Sequence, residues 1–257
     1  MKTILSTFAL LFIFYGVYGQ KQSEFYQLKQ YLFKTERQEK VLDAYLETAF
    51  LPALHRLRIS DVGVFKSIDN VTDTLKSIYI LIPYSSLDQF IALDAKLVED
   101  KKYQKAGSAY INAKNDDPPY SRIKSTLMKA FKGMPKHRIP VFQNKKSERV
   151  YELRSYESPT EKFYTNKVHM FNVGSEIVLF DQLEFNAVFY AEVISGSNMP
   201  NLMYMTSFSD RKSRDSHWKA FFKSPGWETI KSKPEYKIDN MSRAEKHLLY
   251  PTNYSDY

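Results

Sequence analysis

Arg154 is the residue of this sequence whose surroundings most suggest chemistry. It lies in residues 150–156, which alternate apolar and polar side chains as a half-buried strand does. Glu152, Arg154 and Tyr156 should therefore point to the same side of that strand. A buried arginine needs a negative partner, and Glu192 on the next strand is a candidate. Such a pair could simply fix the sheet, or it could line a ligand pocket.

Four further side chains in the second half of the sequence are candidates for a ligand site. His169 falls in a helical stretch, where it could act as an acid or base, serve as an axial ligand, or simply lie at the surface. Asn172 and Glu176 share a helix face if the helix continues through Gly174, and they could coordinate a ligand or cap a helix end. Tyr204 lies within a predicted strand, as part of the core or as pocket lining.

Composition excludes several kinds of active site. The 257 residues include no cysteine, which excludes disulfides, thiolate metal sites and cysteine nucleophiles. The five histidines form no HExxH motif, and the sequence has no glycine-rich phosphate loop or serine nucleophile elbow. We therefore predict no metal, no cofactor and no assigned catalytic residue. The net charge of +8 is scattered in short groups near acidic residues, which is typical of a solvated surface rather than a nucleic-acid interface.

The elements that must position these side chains follow one plan twice. In each half an alternating strand precedes a helical stretch, two strands, a second helix and a weaker final strand. The first half shows these patterns at residues 25–31, 36–58, 62–68, 77–82, 86–99 and 122–131. The second half shows them at residues 150–156, 160–183, 187–194, 202–208, 210–223 and 241–249. The order β-α-β-β-α-β is the ferredoxin-like plan.

This order predicts an α+β protein made of two tandem ferredoxin-like units. A ferredoxin-like sheet carries its helices on one face, so its other face stays apolar and needs cover. Two copies in one chain solve this by packing sheet on sheet. We predict a first domain at residues 20–134, a linker at 135–147 and a second domain at 148–257. Gly174 predicts a kink or a break within the second-half helix at 160–183.

The first nineteen residues have the layout of a secretory signal peptide. Lys2 supplies a positive charge, residues 4–15 are almost entirely apolar, and Val17 and Gly19 suit cleavage before Gln20. The apolar run is too short to cross a bilayer, and no later stretch is long and apolar enough to do so. We expect an exported protein, periplasmic or secreted, without a stable membrane span once the signal is removed.

Several motifs resemble those of the NIPSNAP family, in the family's order. They are YELRSYES at residues 151–158, MFNVGSEI at 170–177, MPNLMYM at 199–205, WKAF at 218–221, PGW at 225–227 and YPTNYS at 250–255. The first half is similar to the N-terminal copy of two-copy bacterial members. Ser155 and Ser175 stand where threonine and glycine are more usual. The resemblance implies the dimeric α+β barrel superfamily fold, formed here within one chain, and little about activity.

Two functions remain open at this point. The first is binding, without catalysis, of a small apolar or aromatic molecule or of a protein partner. The second is an oxygenase- or isomerase-type enzyme of the kind that the resemblance implies for related barrels. The second half is the better candidate for either function, because it carries the seven ligand-site candidates, which are Arg154, Tyr156, His169, Asn172, Glu176, Glu192 and Tyr204.

Overall fold

The computed structural model describes residues 22–237 and 239–257. The predicted signal peptide at residues 1–19 lies outside the described residues. Within the described part of the chain, no helix is long and apolar enough to cross a membrane.

Each half contains four strands with helices inserted after the first and third strands. The first half consists of β1 (Phe25–Phe33), α1 (Glu36–Tyr45), α2 (Leu51–Arg56), β2 (Gly63–Ser67), β3 (Lys76–Tyr84), α3 (Leu87–Glu99), α4 (Lys101–Ala106), α5 (Ser108–Ile111) and β4 (Arg122–Ala130). The second half consists of β5 (Val150–Glu157), α6 (Glu161–Asn172), α7 (Glu176–Gln182), β6 (Ala187–Ser195), β7 (Asn201–Phe208), α8 (Arg211–Lys223), α9 (Pro225–Ser232) and β8 (Arg243–Pro251). The predicted element order is confirmed.

The eight strands close into one barrel. Around it they follow the order β4-β1-β3-β2-β8-β5-β7-β6, and β6 pairs with β4. Each half thus contributes a sheet in which its first and third strands lie between its fourth and second, as in a ferredoxin-like unit. The predicted fold class, an intramolecular α+β barrel, is confirmed. The two predicted sheets do not merely stack, because hydrogen bonds join them at both edges.

The strands separate the core into a barrel interior and two helix-covered layers. Successive side chains of a strand point to opposite faces, so Leu153 packs inside the barrel while Arg154 faces the helices. The interior is filled by aliphatic and aromatic side chains from both halves, such as Leu28 and Met205. Outside it, each half buries its own cluster between sheet and helices. The candidate residue Arg154 therefore belongs to a helix-covered layer and not to the barrel interior.

The two long helices predicted after the first strand of each half are both interrupted. In the first half a π-helical turn at Leu46–Phe50 joins α1 to α2. In the second half the helix breaks at Gly174, as predicted. A Cβ at Gly174 would lie 2.5 Å from the Met170 carbonyl oxygen, and Ser175 takes a left-handed conformation with φ 75°. This break turns the chain, so that α7 starts in a new direction at Glu176.

Candidate functional site

The Glu152 carboxylate is the centre of a buried ion network in the second half. The side chain is 0% exposed, and its oxygens accept hydrogen bonds from Arg154 Nε at 2.7 Å, Arg214 Nε at 2.6 Å and Trp218 Nε1 at 2.8 Å. Burial pushes the pKa of Glu152 upward, but the Arg214 hydrogen bond and the two guanidinium charges outweigh it and hold that pKa below its ordinary value. Glu152 is therefore ionised and joins strand β5 to helix α8.

Arg154 extends the network toward two tyrosines. Its guanidinium lies 3.7 Å from the centroid of the Trp218 ring, which is cation–π geometry. Arg154 Nη1 donates to the Tyr156 hydroxyl at 2.9 Å, and that oxygen lies 2.7 Å from the Tyr204 hydroxyl. Burial raises the pKa of Tyr204 well above its ordinary range, so the phenol keeps its proton. The chain from Glu152 to Tyr204 is polar throughout and largely shielded from water.

A second buried ion pair lies across the break between α6 and α7. Lys167 Nζ is 3.1 Å from Glu176 Oε2, and both side chains are 4% exposed. The ammonium also lies 5.0 Å from the centroid of the Phe171 ring. Burial raises the pKa of Glu176 by more than Lys167 lowers it, so the pKa of this carboxyl lies above that of an ordinary glutamate. The chain turns at Gly174, between the two residues, and this turn allows Glu176 to pair with Lys167.

A cleft opens on the other face of helix α8. Its volume is about 750 Å³. Its lining includes the apolar linker segment Ile139, Pro140, Val141 and Phe142, together with Asn186, Ala187, Ser213 and His217. Arg138 and Asp181, which form an ion pair of 3.1 Å, and Glu184 also line the cleft. Val141 is 87% exposed, while Ile139, Pro140 and Phe142 are partly exposed.

His217 lines this cleft, and its imidazole is held by the main chain of helix α8. Its Nδ1 lies 2.7 Å from the Ser213 carbonyl oxygen, which can only accept, so Nδ1 carries the proton. In the neutral ring Nε2 then holds the lone pair. The imidazole packs edgewise on Phe185 at 5.7 Å between ring centroids and lies 5.4 Å from Phe208. The ring is thus held by its neighbours, and Nε2 can accept a proton or a hydrogen bond.

A known family model matches the part of the chain that carries the ion network and His217. The NIPSNAP family model matches residues 151–256. Residues 151–256 form a NIPSNAP domain. The linker wall of the cleft precedes this domain, whereas the network and His217 lie within it. Among curated proteins, none matches the sequence.

Two solved structures share the whole fold at low sequence identity. A proposed monooxygenase from Fusobacterium nucleatum is 8% identical, with a TM-score of 0.58, over 90% of this chain and 93% of that chain. A second proposed monooxygenase, from Lactobacillus acidophilus, is 9% identical, with a TM-score of 0.55, over 90% and 94% of the two chains. A NIPSNAP family protein from Agrobacterium tumefaciens is 16% identical over 47% of this chain and 98% of that one, with a TM-score of 0.38. The likeness to the two proposed monooxygenases concerns the fold alone.

The NIPSNAP domain brings together four of the seven predicted site residues. Arg154, Tyr156 and Tyr204 form one hydrogen-bonded chain, and the Arg154 charge acts on Glu176. The expected pairing of Arg154 with Glu192 is wrong. Strand β7 lies between β5 and β6, so Glu192 is two strands away and accepts instead from the Tyr164 hydroxyl at 3.2 Å.

His169 and Asn172, the other two predicted site residues of the NIPSNAP domain, form hydrogen bonds with residues outside the ion network. His169 Nδ1 lies 2.7 Å from the Tyr236 hydroxyl. Asn172 Oδ1 accepts from the Gly133 backbone N–H at 2.9 Å and so ties the chain after β4 to the end of α6. Asn172 and Glu176 do not share a helix face, because the helix does not continue through Gly174. Within the described residues no group of three or more His, Asp or Glu side chains could hold a metal ion.

Sequence reasoning missed several residues of the NIPSNAP domain that the structure makes central. Glu152 was placed on the same strand face as Arg154 but not in the site, and Arg214 was not considered. A signal was present, since Arg214 and Trp218 are four residues apart and must share a helix face. Lys167 could not be found in this way, because its partner Glu176 lies beyond a break in the helix.

Proposed function

We propose that the protein binds a small molecule with an apolar or aromatic body in the cleft beside helix α8. The observation that carries this proposal is that the apolar linker residues Ile139 to Phe142 and the imidazole of His217 line the same cleft. Small-molecule sites combine apolar lining with a few placed polar groups in this way. The volume of about 750 Å³ lies within the range of such sites, about 300–1,000 Å³.

The chemistry of the walls limits the ligand class. An aromatic or alicyclic body would cover Pro140, Val141 and Phe142, which removes apolar surface from water. A hydroxyl or N–H group on that body would donate to His217 Nε2. Phenols and similar hydroxylated aromatics meet both requirements. Arg138 and Asp181 form an ion pair, and Glu184 adds a further carboxylate to the lining, so an anionic ligand is disfavoured.

The buried network supports this site by fixing the helix that forms one wall. Arg214 and Trp218 bind Glu152 from one face of α8, while Ser213 and His217 face the cleft from another. In this proposal Glu152 and Arg154 are positioning residues. They hold α8 at a set distance from the sheet and thereby hold His217 against the linker wall.

An oxygenase- or isomerase-type enzyme is the second candidate function. It is favoured by one observation, the His217 imidazole that lines a cleft with its Nδ1 bonded to the Ser213 carbonyl oxygen, because an imidazole held in this way can act as a general base through Nε2. The shared fold with two proposed monooxygenases is compatible with it but concerns the fold alone. A binding assay that also follows the ligand by mass would separate the two functions, since only the enzyme changes the ligand's mass or structure.

The test uses 2-naphthol as the probe. The matched compound is 2-methoxynaphthalene, which lacks the hydroxyl hydrogen-bond donor. Ligand-observed NMR and a fluorescence titration would measure both affinities. We expect Val141→Asp to weaken 2-naphthol binding by about tenfold, since it charges the apolar wall. We expect His217→Phe to remove the preference for 2-naphthol over the methoxy compound. Val71→Asp is the matched control, because Val71 is 90% exposed and lies in the first half, away from the cleft. Equal effects of the two valine substitutions would refute the proposed site.

We also propose that the protein works outside the cytoplasm. The support is the charged, apolar and small-residue order of residues 1–19, which is typical of a cleaved signal. The mass of the protein isolated from its host should match a chain that begins at Gln20, and an uncleaved mass would contradict export by this route.

A further inference from the structure

One end of the barrel interior is polar, although the interior is apolar at mid-height. Going along the inward-facing positions, Leu28 is followed by Gln30 on β1, and Leu153 by Ser155 on β5. On β8 the apolar Leu249 gives way to His247. The change occurs on strands from both halves at the same end of the barrel. The polar end is therefore a layer of the barrel that exists only when the two halves are closed on each other.

A small pocket of about 80 Å³ lies in this polar layer, with Leu28, Leu153 and Met203 among its apolar lining residues. Its polar lining includes Gln30, Tyr79, Lys124, Ser155, Asn201 and His247. Since a cavity needs about 10–15 Å³ of this kind of volume to hold one water, the pocket has room for a small molecule of a few heavy atoms. Mouths of β-barrels are common places for small-molecule sites.

The hydrogen bonds inside the layer leave donors for a ligand. Gln30 Nε2 donates to the Tyr79 hydroxyl oxygen at 2.8 Å, so the Tyr79 proton is free to point elsewhere. Asn201, which is 4% exposed, bonds with Ser155 at 2.8 Å, and this pair forms a fixed polar wall. The Tyr79 and His247 rings lie 5.6 Å apart between centroids, which places a phenol and an imidazole side by side.

Charges of both signs line this end of the barrel. Glu245 lines the pocket; Arg243 Nη2 lies 2.6 Å from one of its oxygens, and His247 Nε2 lies 3.7 Å from the other. Lys124 makes no ion pair with any residue that the structure describes. Burial lowers the pKa of His247 despite the Glu245 carboxylate beside it, so this imidazole is neutral at physiological pH. The layer thus presents the Lys124 ammonium together with the Tyr79 hydroxyl as donors, and the neutral His247 ring as part of the lining.

We propose that this end of the barrel is a second ligand site, which binds a small carboxylate the size of acetate between Lys124, Tyr79 and His247. It is separate from the cleft beside α8, and neither site depends on the other. The carboxylate would accept hydrogen bonds from the Tyr79 hydroxyl and from Lys124, and its short apolar group would lie toward Leu153 and Met203. Both halves contribute to the site, with Tyr79 and Lys124 from the first half and His247 from the second.

The test titrates acetate into the ¹⁵N-labelled full chain and follows the side-chain amide signals of Gln30 and Asn201. Acetamide has the same shape without the charge and is the matched ligand. We expect saturable shifts with acetate and at least tenfold weaker binding of acetamide. Lys124→Met should weaken acetate binding at least tenfold, and Tyr79→Phe should weaken it severalfold. Lys246→Met is the control, because Lys246 is next to His247 but points to the opposite strand face.

Three results would overturn this proposal. The first is the absence of saturable shifts with acetate. The second is equal binding of acetate and acetamide, which would indicate a polar crevice without charge recognition. The third is an equal loss of affinity in Lys124→Met and Lys246→Met, which would indicate a general effect of net charge.

Discussion

The two halves of the barrel solve the same packing problem with different chemistry. Arg154 on β5 pairs in register with Tyr204 on β7, and Lys29 on β1 pairs with Ile80 on β3, so these positions correspond. In the second half the cation meets Glu152. In the first half the corresponding residue is Gln27, a neutral amide that accepts from the Tyr84 hydroxyl at 3.0 Å.

The first half surrounds its cation with aromatic rings instead of carboxylates. Lys29 Nζ lies 5.2 Å from the centroid of Phe50 and 5.7 Å from that of Tyr31. Burial lowers the pKa of Lys29, with only partial compensation from Asp94. The layer around it is filled by stacked and bonded tyrosines such as Tyr45 and Tyr110. The fold therefore accepts an aromatic layer at this place.

This difference indicates where function is concentrated. A buried ion pair gains little stability over apolar packing of the same volume, because both charges must lose water. The fold does not require the second-half network, since the first half builds the same layer without one. We infer that the network is retained for the geometry it gives to α8 and His217. Substitutions that give one half the side chains of the other half test this inference.

The largest effect is expected when Glu152 is replaced by glutamine, the residue type at the corresponding position, Gln27, of the first half. Glu152→Gln leaves the buried Arg154 without its carboxylate and leaves Arg214 only the exposed Asp215 as a counter-charge, which should lower the free energy of unfolding by about 3 kcal/mol. Urea denaturation measures it. Glu192→Gln is the control and should lower it by less than about 1 kcal/mol, because Glu192 accepts one tyrosine hydrogen bond. Similar losses in both variants would show that Glu152 is not central.

An intermediate effect is expected when the two cations are exchanged. Arg154→Lys loses the hydrogen bond to Tyr156 and the stacking on Trp218, which should lower the free energy of unfolding by about 1–2 kcal/mol. Lys29→Arg keeps a cation over the Phe50 and Tyr31 rings and should change it by less than about 0.5 kcal/mol. Thermal and urea unfolding of the two variants compare the halves directly. Equal losses would mean that both positions need a specific cation.

The smallest effect concerns the pH dependence of Lys29. Its lowered pKa means that the unfolded chain holds this proton to higher pH, so the lysine destabilises the fold near neutrality and less as pH rises toward its ordinary 10.5. Lys29→Met should therefore raise the free energy of unfolding by up to about 1 kcal/mol near pH 7, and the gain should shrink toward pH 10.5. Unfolding at several pH values, with exposed Lys40→Met as the control, measures this. A pH-independent gain would contradict the assignment.

The sequence predicts the secondary-structure elements of this protein better than the contacts between its side chains. Strand alternation and helix period place β7, α8 and the break at Gly174 within a few residues, because they reflect local patterns. The resemblance adds the closure of the barrel. The partner of Arg154 could not be predicted, because it depends on the order of β5, β7 and β6 and on a helix that returns over the sheet. The cleft was missed because a linker without a repeating pattern forms one wall.

Closure of the barrel depends on two short seams between strands that are far apart in the chain. Strands β2 and β8 share three residue pairs, from Phe65 with Pro251 to Ser67 with Leu249, and β4 meets β6 over four pairs interrupted by a bulge. Pairs within a half, such as β1 with β3, are longer. The β2–β8 seam joins the most distant segments, and closing so long a loop costs entropy. A chain whose seams have not closed exposes two strand edges through which it could exchange halves with another copy.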